Sequence, residues 1–99
     1  MRTPSPSLII KHMWIIYIIQ HTTTKQIYIG VTQDLKRRLS EHNSGNQRAT
    51  KRNSGEWLLI YAEAYRSKSS AYERERKLKQ YGSAKQKLFK RISKCMVSE

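Results

Sequence analysis

Tyr17, Tyr28, Arg38, His42 and Glu75 are the side chains of this sequence whose types and spacing suit joint chemistry. A phenol positions water or accepts its proton, an imidazole moves protons near neutral pH, a guanidinium steadies an oxyanion, and a carboxylate holds a hard divalent cation. Each also has an ordinary structural use. Tyrosine is a good strand former with a wet tip. Arg38 and His42 are four apart and so share one helical stripe, about sixty degrees round from Leu35 and Leu39. A histidine near a helix C-terminus also complements the helix dipole. Glu75 lies four residues after Ala71 and three before Leu78, on the inward stripe of its helix. A carboxylate there is costly unless paired or bound to a cation, and Lys79, one turn on, offers an ion pair.

The elements that must position these groups are legible in the apolar pattern. Trp14 to Ile19 is an apolar, β-branched and aromatic block, too short to span a membrane and suited to a strand covered on both faces. After a polar connection, Gln26 to Thr32 reads as a second strand, with Ile27, Ile29 and Val31 on one face and Tyr28 and Gly30 on the other. Thr32 or Asp34 can cap a helix that carries Leu35 and Leu39 and stops near Asn43-Ser44-Gly45. A basic, turn-rich stretch reaches Gly55, and Trp57 to Tyr65 resumes strand character. Ser67, Ser69 or Ser70 can cap a second helix running to about Gln80. Gly82-Ser83 separates it from a third, Ala84 to Ser93. The order β-β-α-β-α-α predicts an α+β fold, a small three-stranded antiparallel sheet flanked by about three helices.

Composition narrows the class of partner. The chain has 99 residues, room for one domain, with 20 Lys and Arg against seven Asp and Glu and a formal net charge of +13. Basic residues run from Lys36 to Lys94 through segments that otherwise look folded, which argues for a polyanion, nucleic acid, over a charged tail or a membrane-surface peptide. One cysteine, Cys95, excludes an internal disulfide framework, and the three histidines lack zinc-ligand spacing. A cytoplasmic location follows as the default. No pattern indicates a membrane partner or an organic cofactor, and no motif sets an oligomeric state. Residues 1–12 read as a flexible leader, 13–95 as the folded domain and 96–99 as a tail.

Taken in order, Ile15-Ile16-Tyr17, a ten-residue gap, Tyr28-Ile29-Gly30, then Leu35-x-x-Arg38-x-x-x-His42 and Ala71-x-x-x-Glu75 resemble the GIY-YIG nuclease superfamily from end to end. The stretch from Tyr28 to Gly45 is especially similar to its small stand-alone members, related to the nuclease domain of the bacterial excision-repair endonuclease. The resemblance covers about residues 13 to 93. It implies hydrolysis of a DNA phosphodiester with one Mg²⁺ or Mn²⁺ ion, and an association with DNA repair. Glu75 would be the metal ligand and Tyr17 the general base or positioner of the attacking water. Tyr28 would orient water or phosphate, Arg38 would bind the phosphate, and His42 would assist proton transfer or hold Tyr17. Ile15 departs from the pattern by replacing its first glycine.

The remaining basic residues, Arg37, Arg48, Lys51, Arg52, Lys79, Lys85 and Lys87 among them, would track the DNA backbone through charge and counterion release. They carry no obvious base code, so weak sequence selectivity or a preference for structured DNA is expected. A non-catalytic basic nucleic-acid-binding module is the alternative that the charge supports equally well.

Overall fold

A computed structural model of the chain describes residues 12–45, 55–80 and 82–97. Strands β1 (Trp14–His21) and β2 (Ile27–Thr32) are followed by helix α1 (Leu35–Ser44). Strand β3 (Trp57–Tyr65), helices α2 (Lys68–Lys79) and α3 (Ser83–Arg91), and a short 3₁₀ turn at Ser93–Cys95 complete the order. The three strands form one antiparallel sheet in the order β2-β1-β3, so the α+β expectation holds, with β1 at the centre. Arg48, Lys51, Arg52 and the leader residues 1–11 lie outside the described residues.

The unbroken apolar run of β1 has a direct cause, since helices cover both of its faces. Ile16 and Ile18 join Ile29, Ala71, Leu78, Leu88 and Ile92 in one buried cluster, which belongs to α2 and α3. Tyr17 and Ile19 point the other way and pack with Trp57, Tyr28, Leu35 and Leu39, beneath α1. The period-two alternation of the strand thus sorts its residues between two separate cores. The strand runs two residues beyond the apolar block, because Gln20 and His21 are buried with the Gln20 amide and His21 Nδ1 hydrogen-bonded, His21 Nε2 alone being left without a hydrogen-bond partner among the described residues. Gln20 donates from Nε2 to the Lys25 carbonyl at 3.1 Å and accepts from the Val97 N–H at 2.7 Å. His21 Nδ1 accepts from the N–H groups of Thr23 and Thr24, each at 3.2 Å, and fixes the turn into β2.

Helix α1 starts where Asp34 Oδ1 accepts from the Arg37 N–H at 3.1 Å, and it ends at Gly45, which takes the left-handed conformation at φ 80°. Ser67, the first of the three candidate serines, caps α2 through the Ser70 N–H at 3.2 Å. The third helix starts one residue earlier and ends two residues sooner than its pattern predicts.

Arg74 looks across the sheet. Its guanidinium does not serve the neighbouring Glu75 but grips Glu63 on β3 in a bidentate pair, Nε to Oε1 at 3.0 Å and Nη2 to Oε2 at 2.9 Å. Tyr61 and Tyr65 donate their hydroxyls to the same carboxylate at 2.7 and 2.8 Å. Burial alone would raise the Glu63 pKa, but these hydrogen bonds outweigh it and hold the carboxyl below its usual range. The pair ties one flank of α2 to β3, while Lys79, one turn after Glu75, approaches Tyr28 on β2.

Candidate active site

Tyr17 and Gly30 are directly paired across β1 and β2. A side chain at Gly30 would put its Cβ 2.5 Å from Tyr17 Oη and 2.6 Å from Cζ, so the missing side chain is the space in which the Tyr17 ring lies. Ile15, the departure from the pattern, is simply a buried strand residue, 2% exposed, and Tyr17 keeps its place two residues on.

The phenol of Tyr17 is hydrogen-bonded to His42 Nε2 at 2.8 Å, both residues being buried. Tyr28 completes a triangle of rings, with its centroid 6.3 Å from that of Tyr17 and 4.9 Å from that of His42. Three elements meet here: β1 supplies Tyr17, β2 supplies Tyr28, and α1 brings His42 down from its last turn. His42 is therefore a core group rather than a solvated partner of the helix dipole. Arg38, one turn earlier, is half-buried, and its charge is felt at both Tyr17 and His42.

Glu75 approaches from α2. Its side chain is 17% exposed and pairs with Lys79 Nζ at 3.3 Å, the intrahelical ion pair that its spacing allows. Lys79 Nζ in turn lies 6.0 Å from the centre of the Tyr28 ring, so the Glu75 and Lys79 flank of α2 borders the phenols.

The electrostatics divide the cluster. Burial raises the Tyr17 pKa, as do the Tyr28, Glu75 and Glu41 charges, while Arg38 opposes them. Arg38 thus acts in the direction expected of it, but the protein's own groups do not produce a ready phenolate. His42 is pushed the other way, below its ordinary value, first by burial and then by Arg38. A protonated phenol therefore meets a neutral imidazole.

This has a consequence for stability. Folded His42 holds its proton less tightly than the unfolded chain, whose value is near 6.5. Its contribution is complete above that pH and is lost as pH falls from 6.5 through the lower native value. Melting temperature across this range should fall more steeply for the parent than for His42→Gln; parallel curves would contradict the assignment.

Among the described residues no group of three or more His, Cys, Asp and Glu could by itself hold a metal ion. The donor set suits an ion taken through one carboxylate, Glu75, with water and phosphate filling the other positions, as Mg²⁺ commonly is in phosphoryl-transfer sites. The other basic positions do not join this cluster as a group. Arg37 is exposed and faces Glu41 at 3.6 Å. Lys85 lies over the Phe89 ring at 5.6 Å, and Lys87 is exposed on α3.

Sequence reasoning missed the residue that holds α1 in register. Asn43 Nδ2 donates to the Trp57 carbonyl at 3.0 Å, and Asn43 Oδ1 accepts from the Trp57 N–H at 2.6 Å. The side-chain amide thereby acts as one more backbone unit beside β3. The only available signal was a polar residue at a helix end, which the following Gly45 already explains.

With this geometry in place, the comparisons with known proteins are consistent. The chain belongs to the GIY-YIG family: residues 13–90 match the GIY-YIG catalytic domain, which is of nuclease type. It is similar to the UPF0213 protein YhbQ of Escherichia coli (strain K12), 33% identical over 67 residues that cover 68% of this chain and 66% of YhbQ, just under two thirds of that protein's length. It is also similar to the UPF0213 protein YE0453 of Yersinia enterocolitica, 31% identical over 87 residues covering 87% of this chain and 89% of that protein. The solution NMR structure of the UPF0213 protein BH0048 from Bacillus halodurans aligns with a TM-score of 0.48 at 27% identity, over 78% of this chain and 81% of that one. No helix among the described residues is long and apolar enough to cross a membrane.

Proposed function

We propose that the protein is a DNA endonuclease that hydrolyses phosphodiester bonds with one Mg²⁺ or Mn²⁺ ion and little sequence selectivity. The observation that carries this reading is the buried hydrogen bond between Tyr17 Oη and His42 Nε2, set in a cluster that Arg38 and Glu75 border. A structural tyrosine needs one partner for its hydroxyl, and a backbone carbonyl would serve; a buried imidazole adds proton transfer.

Because burial keeps Tyr17 protonated, the consistent route is a relay in which the attacking water passes a proton to Tyr17 Oη as Tyr17 hands its own to His42 Nε2. This works in the His42 tautomer that carries its proton on Nδ1. The water oxygen bonds to phosphorus as the bond to the leaving oxygen breaks, with Arg38 holding the phosphate and neutralising the added charge. Tyr28 orients the water or the phosphate. Glu75 would hold the ion, which when bound would supply Lewis acidity to the phosphate.

The Glu75–Lys79 ion pair favours a second reading, a binding module that does not cut, since it satisfies the carboxylate without a metal ion. Plasmid nicking separates the two. The purified protein should nick supercoiled DNA with Mg²⁺ or Mn²⁺, EDTA should stop it, and Arg38→Ala should slow it by roughly 100- to 1000-fold, as loss of a charge-stabilising donor does. Salt-sensitive DNA binding with no metal-dependent product would establish the binding module instead.

A further inference from the structure

The sheet end nearest the start of β1 carries an aromatic pair that the hydrolytic chemistry does not use. The rings of Trp14 and Tyr72 have centroids 6.0 Å apart at a tilt of 57°, and Lys68 Nζ lies 5.2 Å from the first and 5.9 Å from the second. Tyr72 is 45% exposed, among the most open of the large apolar side chains, and Trp14 is half-buried. Exposed rings beside a cation are ordinary singly; their placement here is informative.

Lys68, Tyr72, Glu75 and Lys79 follow at intervals of four, three and four, and so fall within about sixty degrees of one another around α2. Tyr72 precedes Glu75 by three residues, ~4.5 Å of helix rise. Trp14 packs on the same face of β1 as Ile16 and Ile18, the face that α2 covers, and so meets this stripe directly. The aromatic pair therefore lies about one helical turn from Glu75 along the same stripe of α2. Lysines flank it on both sides, so a polyanion can lie along this stripe with its bases turned to the rings.

We propose that Trp14, Tyr72 and Lys68 form a stacking platform for an unpaired nucleobase adjoining the phosphate that Glu75 addresses. Its relation to the phosphate rests on the nuclease reading; its ability to bind a base does not. Bases inside a duplex have both faces covered, whereas one in a single strand, bulge or frayed end is free to stack on Tyr72, with Lys68 meeting the adjacent phosphate. The platform selects DNA by the state of its strands rather than by its sequence.

Intrinsic fluorescence in EDTA tests this without cleavage. Trp57 is 2% exposed, so Trp14 is the tryptophan open to a stacked base. A short oligothymidylate should quench the emission saturably, Trp14→Phe should abolish that quenching, and a blunt duplex of equal length should cause little. Tyr72→Ala should weaken oligothymidylate binding by about 5- to 100-fold, the range for losing one stacked base, and Tyr72→Phe should restore it. Tyr72 is exposed, so these variants keep the fold, and unchanged melting curves would verify that. Equal quenching by duplex, no saturable quenching, or unaltered binding by Tyr72→Ala would overturn the proposal. Quenching without metal-dependent nicking would sink the nuclease reading alone, whereas nicking without quenching would sink the platform alone.

Discussion

Glu75→Gln is expected to reduce metal-dependent cleavage by roughly 100-fold or more, the effect of losing several kcal/mol of transition-state stabilisation, while DNA affinity in EDTA stays the same or rises slightly. The sign of the binding change follows from charge, because removing one carboxylate from a chain of net charge +13 strengthens its attraction to phosphate. The substitution is nearly isosteric, so the packing of α2 should be kept. Its other consequence is loss of the pair with Lys79, whose amine is half-exposed; such i,i+4 pairs contribute about 0.3–0.5 kcal/mol. The two readings of Glu75 thus separate cleanly. A purely structural carboxylate gives a small change in melting temperature and nothing else, whereas a metal ligand gives a large loss of turnover. Nicking rates with saturating Mg²⁺, set beside Kd from fluorescence anisotropy, distinguish them. Parental cleavage by Glu75→Gln would remove Glu75 from the site.

Gly30→Ala should be destabilising by about 1–3 kcal/mol, the usual cost of overpacking, and should also depress cleavage. At an ordinary strand position the same change is stabilising, since glycine costs roughly 0.5–1 kcal/mol relative to alanine there. The opposite sign is therefore diagnostic. The added methyl would meet Tyr17 Oη and Cζ at 2.5 and 2.6 Å, and the ring, only 2% exposed, cannot swing away without leaving His42. In a Tyr17→Ala background the obstruction is gone, and Gly30→Ala should become neutral or stabilising. Denaturant unfolding of the four proteins measures that coupling directly. An additive cycle would mean that the ring does not lie over Gly30.

The sheet and helices were legible because their apolar periods are strong. The block from Trp14 to Ile19 marked a strand covered on both faces, and the alternation about Tyr28 and Gly30 assigned the faces of β2 correctly. Capping chemistry at Asp34 and Ser67 located two helix starts. The misses arose where polar side chains are satisfied over long sequence distances. Gln20 and His21 looked like loop, although Val97, 77 residues away, engages the first. The Arg74–Glu63 pair was invisible because helical spacing reveals only partners on one helix, and Glu63 lies across the sheet. The five candidate side chains stood out by type, and the structure brings Tyr17, Tyr28 and His42 into one cluster with Arg38 and Glu75 beside it. Arg38 suggested a lowered Tyr17 pKa, yet the shift is upward, because it follows first from the depth of the ring and then from the Tyr28, Glu75 and Glu41 charges, none of which spacing alone reveals.

The amide of Asn43 also works as a clasp. It fastens the end of α1 to the first residue of β3, so the separation of these two elements is fixed by two hydrogen bonds from one side chain. His42, the residue just before it, is thereby seated on Tyr17 by a contact between the elements themselves.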